Sequence, residues 1–283
     1  MKLKLVIPKG RMFEKISALL NDIGAGIELS ARSYLPMVAD GEIEAKIMKS
    51  QNIPKLLELG SHDAGFAGLD WILETGADVV EIMDLGFNPV KIVAAVPEKS
   101  LDSGLKKRRL VVASEYEQLS KKFLQKEGYD YVFLRTFGAT EVFPPEDADM
   151  IIDNTATGRT LREHGLSVIS TVLESTTRFI ANRKAYEDPW KREKMERLKT
   201  LINSVLNARS RVMLEMNVPK DRFEEIVKIL PCMRAPTVSP LYADEGFAVK
   251  VAVKSYETSR LIPLLKKLGA TDILEYDIRK VVI

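Results

Sequence analysis

The chain has 283 residues, 46% hydrophobic, 29% charged and 7% aromatic, an ordinary soluble composition with room for two or three compact units. Lys and Arg number 42 against 40 Asp and Glu, so no general nucleic-acid field arises and only a local basic pocket for phosphates stays open. The single cysteine, Cys232, excludes an internal disulfide and a cysteine-rich metal cluster, and His62 and His164 alone offer neither a His-based zinc site nor a histidine triad.

The apolar run at the start is too short for a signal peptide. No stretch approaches the ~18 apolar residues of a membrane span, so a cytoplasmic setting is expected, with no membrane and no nucleic-acid partner. Leu3–Ile7 reads as a buried strand, broken by Pro8-Lys9-Gly10. Met12, Ile16, Leu19 and Leu20 then fall at helical spacing before Gly24. A second helix is predicted through Pro54–Leu59, with Gly60 just beyond. Strands at Ala64–Ala67, Val79–Ile82 and Lys91–Val96 complete an alternation that predicts an α/β fold with a mainly parallel sheet.

A second α/β unit begins near Pro97. Leu110–Ala113 reads as a strand, and Ser114 with Glu117 offers a capping box for a helix burying Leu119, Phe123 and Leu124 and ending near Gly128. Tyr131–Leu134 and Met150–Ile152 are further strands. Thr176 to about Ala208 reads as a long helical stretch interrupted at Pro189, returning to the first unit. The remainder is a separate module: strand Val212–Met216, a helix with Phe223, Ile226, Val227 and Leu230 on one face, strands at Thr237–Leu241 and Phe247–Val253, a helix with Leu261, Leu265 and Leu268, and strand Ile273–Tyr276. That order, βαββαβ, is ferredoxin-like. The expected divisions are 1–96 completed by 173–208, then 97–172, then 209–283.

The segment Ala148–Leu161 carries the clearest chemistry. A short apolar strand delivers Asp153, and a loop of small hydroxyl residues with one glycine, Gly158, opens a helix. Gly158 permits close backbone approach, Thr157 and Thr160 can donate hydroxyl hydrogen bonds, and free N–H groups at a helix start attract anions. Asp153 is placed to accept from a ribose hydroxyl, directly or through a metal-bound water. The plainer alternative makes Asp153-Asn154 a turn and Thr157 an N-cap. The order resembles the 5-phosphoribosyl-diphosphate (PRPP) loops of phosphoribosyltransferases. Type I transferases usually carry two adjacent acids there, whereas Asn154 follows Asp153 here.

Further segments narrow the resemblance. Ile7-Pro8-Lys9-Gly10-Arg11, the run from Gly60 through Asp63 and Gly65 to Asp70, Asp84-Leu-Gly86-Phe, Gly138-Ala-Thr-Glu141-Val and Thr157 through Gly165-Leu resemble ATP phosphoribosyltransferases. Asn217-Val-Pro, Leu230-Pro, Pro236 through Leu241 and Gly269-Ala270 resemble the C-terminal domain of the long form of that family. Nearly the whole chain is covered. It departs from the family's usual residues at Asn52, Ala67, Asn88 and Asn154-Thr155.

The resemblance implies a two-lobed, periplasmic-binding-protein-like α/β catalytic region plus a ferredoxin-like βαββαβ regulatory domain. It implies attack of the ATP adenine N1 on C1 of PRPP with inversion and release of pyrophosphate, the first step of histidine biosynthesis, with feedback by histidine. Ring N1 carries a lone pair, so catalysis rests on alignment and charge stabilisation. Mg2+ would be held through substrate phosphates, with Glu141 or Asp153 as the protein's contribution. PRPP contacts are implied for Asp153, Asn154, Thr155, Ala156, Thr157, Gly158, Arg159, Thr160, Leu161 and Glu141, and ATP or phosphate contacts for Lys9, Gly10, Arg11, Arg32 and Asp70. Asn217, Thr237 and Asp272 are implied for histidine, with AMP as a further ligand and a homo-oligomer of dimer to hexamer size. Lys9 and Arg11 also read as a solvated basic turn, Arg32 as a surface ion pair, Glu141 as a loop carboxylate, and the three C-terminal residues as turn or cap groups. Asp63 reads as a structural turn, the two histidines as surface or capping residues, and Cys232 as small core. The competing reading for the first two units is a two-lobed small-ligand-binding or regulatory protein without catalysis.

Overall fold

An apolar run without alternation marks a strand covered on both faces, and β1 (Leu3–Pro8) is buried along nearly its whole length. The structure, a computed structural model, describes all residues except 30–33, 102, 103 and 234. It forms two compact units, Met1–Glu196 and Arg197–Ile283.

In the first unit, β1 leads to α1 (Arg11–Asp22), which buries Ile16, Leu19 and Leu20. A short ribbon, β2 (Ile27–Glu28) with β3 (Met37–Val38), precedes β4 (Ile43–Met48), α2 (Ile53–Glu58) and β5 (Ala64–Gly68). Every residue of β5 is buried, and a Cβ at Gly65 would stand 2.4 Å from Val6 Cγ1, so only glycine lets β5 lie against β1 there. Helix α3 (Leu69–Thr75) and β6 (Val79–Asp84) follow.

The chain then crosses to a second sheet through β7 (Val90–Pro97), β8 (Leu110–Ser114), α4 (Glu117–Glu127), β9 (Tyr131–Arg135), β10 (Met150–Thr155), α5 (Arg159–Glu163) and β11 (Leu166–Ser175). It returns through β12 (Thr177–Asn182) to α6 (Arg183–Glu187) and α7 (Pro189–Arg209). The sheet orders are β4-β1-β5-β12-β6 and β11-β7-β10-β8-β9. Each lobe thus holds one strand that belongs to the chain's passage between lobes: β7 follows directly from β6, and β12 directly from β11. This is the two-lobed arrangement of periplasmic binding proteins, and the two crossings lie side by side, with Thr177 N donating to Phe87 O.

Four expectations are corrected. The sheets are mixed rather than mainly parallel, because β7 and β12 run antiparallel to both neighbours in their sheets. The strand read at Lys91–Val96 lies in the second sheet, not with the first unit. Thr177–Asn182, read as helix, is a strand rich in β-branched and aromatic residues, and the helix starts only at Arg183, where Asn182 Oδ1 accepts from Ala185 N. The Ser114–Glu117 capping box does not form. Ser114 Oγ donates to Ile152 O, and the first turn of α4 is capped instead by Glu74, whose carboxylate accepts from Gln118 N and Leu119 N, both at 3.0 Å.

The second unit contains β13 (Arg211–Val218), α8 (Phe223–Ile229), β14 (Thr237–Pro240), β15 (Phe247–Lys254), α9 (Thr258–Lys267) and β16 (Thr271–Asp277). Its sheet is fully antiparallel in the order β14-β15-β13-β16, the ferredoxin-like order. Alternate residues Val212, Leu214, Met216 and Val218 of β13 face the core with Ile226, Val251 and Leu265, and Cys232 packs at its edge.

Candidate active site

Between the lobes of the first unit lies a cleft of about 680 Å3. Lys9, Arg11 and Lys15 line one wall, from the turn after β1 and the first turns of α1. Tyr116, Asn154, Ala156 and Thr157 line the wall of the second lobe, and the two crossings supply the floor through Asn88, Pro89, Val90 and Ser175–Thr177. Arg11, Asn154, Ala156 and Thr157 also line a smaller cavity of about 240 Å3, so the two spaces adjoin.

The smaller cavity is built on the end of β10. Ile151 and Ile152 are fully buried, which delivers Asp153 to the strand's C-terminal edge, where α/β sheets place ligands. Burial pushes the Asp153 carboxyl up to about 6; the Asn154 N–H, bonded to Oδ1 at 2.7 Å, works against this, and the charges of Glu141 and Glu115 add to it. Gly158, at φ 72, turns the chain into α5 and donates its N–H to Thr155 Oγ1. Thr157 Oγ1 accepts a long bond of 3.4 Å from Arg159 N. Of the N–H groups at this helix start, that of Gly158 is thus engaged by Thr155. Of the ten residues expected around PRPP, nine line this cavity and Gly158 does not; Leu161 does so while its side chain is 4% exposed.

Lys9, Arg11 and Asp70 line the larger cleft. Lys9 Nζ donates to Tyr34 Oη at 3.4 Å and lies 5.2 Å from that ring's centre. Gly10 shapes the entry to α1 at φ 86 without lining the cleft. Arg32 lies outside the described residues. Asp70 is 5% exposed, and both its carboxylate oxygens are bonded, Oδ1 by Ser175 Oγ and Oδ2 by Tyr116 Oη. Asp63 is structural: it accepts from Lys4 N and pairs with Lys191, away from the cleft. Neither histidine lines either cavity; burial lowers the His62 pKa.

Sequence reasoning passed over Glu115, Tyr116, Trp71 and the second crossing, and noted the first only through the Asp84–Phe87 motif and the departure at Asn88. Glu115 and Tyr116 directly follow β8, a strand end of the kind that carries ligands in such sheets, and this signal was available. The second crossing had no such signal, because it was read as helix.

A family model described as ATP phosphoribosyltransferase matches residues 49–204. The chain is 43% identical to the ATP phosphoribosyltransferase of Pelotomaculum thermopropionicum over the full length of both. It is 41% identical to that of Chlorobium phaeovibrioides, covering 99% of this chain and 97% of that one. The chain belongs to the ATP phosphoribosyltransferase family.

A second family model, the HisG C-terminal domain, matches residues 208–280, which identifies this ATP phosphoribosyltransferase as the long form. Among solved structures, the ATP phosphoribosyl transferase (HisG:HisZ) complex from Thermotoga maritima is similar at TM-score 0.63 and 28% identity, covering 71% of this chain and 98% of that one. In the C-terminal module Asn217 Nδ2 donates to Asp272 Oδ2 at 2.8 Å, and Asp272 sits at φ 48. Thr237 is not brought to them: it lies on the edge strand β14, with β15 between it and β13. Among the described residues no set of three Asp, Glu, His or Cys side chains is arranged to hold a metal alone, and no helix is long and apolar enough to cross a membrane.

Proposed function

We propose that this chain joins N1 of the ATP adenine to C1 of PRPP, with inversion, and releases pyrophosphate. The observation that carries the reading is the adjacency of two cavities, one ringed by the Asp153–Leu161 loop and the other by Lys9, Arg11 and Lys15, with Arg11 lining both. Two polyanions placed there would meet end to end, and lobe closure would bring the reacting atoms into line.

Asp153 and Glu141 would accept from the ribose hydroxyls, while Thr157 and Thr160 donate to the 5-phosphate. A divalent cation, Mg2+, would be held through the substrate phosphates with Glu141 or Asp153 behind it, and when bound it neutralises the pyrophosphate leaving group. Lys9 and Arg11 would bind the phosphates of ATP. Asn217 and Asp272, already hydrogen-bonded, would take histidine in the C-terminal module, with Thr237 contributing. AMP would share the ATP cleft, and the enzyme would work in the cytoplasm as a homo-oligomer. Histidine would then act by favouring one quaternary arrangement. The deciding experiment is pyrophosphate release from ATP plus PRPP by the purified chain; absence of release with both substrates at millimolar concentration would return the two-lobed fold to a ligand-binding role.

A further inference from the structure

The two cavities share a wall, and one side chain in that wall is bonded toward both. Asn154 lines the larger cleft and the smaller cavity alike. Strands β8 and β10 are parallel neighbours, so Asn154 near the end of β10 comes beside Tyr116, two residues past the end of β8. Asn154 Nδ2 donates to Tyr116 Oη and to Asp153 Oδ1, both at 3.3 Å, and Asp153 Oδ1 also accepts from Asn154 N at 2.7 Å. The neighbours fix which way the amide points. Tyr116 commits its proton to Asp70 Oδ2 at 2.9 Å, so its oxygen can only accept from Asn154. A carboxylate oxygen likewise accepts, and only the amide nitrogen, with its two hydrogens, serves both at once. An apolar side chain at this position would make neither bond.

Each end of this link reaches a different cavity. Asp153 lines the smaller one. Tyr116 is 1% exposed and acts on the larger one from behind: its ring stacks on that of Trp71, with centroids 4.6 Å apart, and Trp71 is the half-buried ring that lines the cleft. A ligand that orders one end removes freedom that a ligand at the other end would otherwise have to remove. Resting on the reading of PRPP and ATP as the occupants of the two cavities, we propose that Asn154 is a positioning residue that couples them. PRPP held at Asp153 fixes the amide, the amide fixes the Tyr116 phenol, and the phenol fixes the Trp71 wall of the ATP cleft.

The test is calorimetric titration of the full chain, with Mg2+, using 1-deaza-ATP, which lacks the attacking nitrogen and so cannot react. In the wild type, saturating PRPP should tighten 1-deaza-ATP binding about three- to tenfold, the worth of one neutral hydrogen bond. By reciprocity 1-deaza-ATP should tighten PRPP binding by the same factor. Asn154→Leu, close in size but without donors, and Tyr116→Phe, which keeps the ring, should each bring that factor to about one. The double variant should lose no more, because both substitutions break the same link. A direct contact of Asn154 with one substrate would instead weaken that substrate alone and leave the factor intact, and a purely structural role would lower the thermal midpoint and leave it intact. Either result overturns the proposal, as does a wild type without coupling or a factor that survives in Asn154→Leu. If the wild type binds neither ligand and releases no pyrophosphate, the substrate assignment falls and this proposal with it, whereas missing coupling alone leaves that assignment standing.

Discussion

The phenol of Tyr116 donates to Oδ2 of Asp70 at 2.9 Å, while Ser175 Oγ donates to Oδ1 of the same carboxylate at 2.7 Å. Asp70 stands in the first turn of α3, Tyr116 just before α4 and Ser175 at the end of β11. One buried carboxylate therefore ties the first lobe to two elements of the second. Burial, the Asp70 charge and this bond raise the Tyr116 pKa well above the usual phenol range, so the phenol stays protonated and remains a donor. Tyr116→Phe should lower stability by about 1–3 kcal/mol in urea unfolding, the penalty of stripping a partner from a buried group. Asp70→Asn should then cost less in the Tyr116→Phe background than alone, because the two share one interaction. Additive effects would show that the bond does not couple the lobes.

Asp153 gives a pH signature. Its ordinary value is 3.8, and burial raises it to about 6. Between those values the native state holds a proton that the unfolded chain has lost, so native stability falls as pH rises through that window. Asp153→Asn removes the titration and should be the more stable protein at pH 7, with no such decline between pH 4 and 6. PRPP binding should move the opposite way, since only the ionised carboxylate is a pure acceptor for ribose hydroxyls. The ratio of wild-type to variant kcat/KM for PRPP should rise from pH 5 to 7. A flat ratio would separate Asp153 from the substrate.

Much of this architecture was legible from periodicity and punctuation. Leu3–Ile7, the Met12–Leu20 spacing, Gly128 after α4 and the βαββαβ order each rest on local chemistry that the fold left untouched. What was not legible depends on partners distant in sequence. Thr177–Asn182 becomes a strand because β5 and β6 offer edges on either side, and helix α4 is capped by Glu74, 43 residues before its first residue Glu117. The loop around Asp153 could be read as a phosphate site from its residue types. The floor of the cleft could not, because Asn88 and Thr177 meet only through the lobe crossings.

The shared lining of Arg11 makes a discriminating pair of variants. Arg11 borders both cavities, whereas Lys9 borders only the larger one. Arg11→Ala should raise KM for both ATP and PRPP, while Lys9→Ala should raise KM for ATP alone. Charge-assisted bonds to phosphate are worth about 1.5–3 kcal/mol, so tenfold or larger effects are expected at limiting substrate. Full activity in both variants would make this a solvated basic turn.

On the loop itself, Thr157→Val with Thr160→Val should raise KM for PRPP at least about tenfold and leave the ATP affinity unchanged. Neither side chain is buried, and among the described residues the only bond to either hydroxyl is the long one from Arg159 N at 3.4 Å to Thr157. Circular dichroism and the thermal midpoint should accordingly match wild type. A well-folded double variant with unchanged PRPP kinetics would return Thr157 to the role of a helix-start residue.

The C-terminal module offers the last test. Asn217 donates to Asp272 at 2.8 Å, and Thr271 Oγ1 donates to the same oxygen at 3.1 Å, so Asp272 Oδ2 is already held by two neutral donors on an exposed edge of β13 and β16. A carboxylate fixed in this way is preorganised for a cationic amine, and only modest side-chain ordering remains to oppose binding. Asp272→Ala should therefore weaken histidine inhibition by at least about tenfold, which corresponds to about 1.4 kcal/mol and lies within the usual range of allosteric coupling. Activity without histidine should stay at the wild-type level, since this residue lies in a compact unit separate from the cleft. Asn217→Ala should give a smaller loss, because Thr271 still orients the carboxylate. Thr237→Ala, two strands away, separates two possibilities: a loss as large as that of Asp272→Ala means the ligand spans the sheet, and no loss confines it to the β13–β16 edge. Undiminished inhibition in Asp272→Ala would place the histidine sensor elsewhere in the chain.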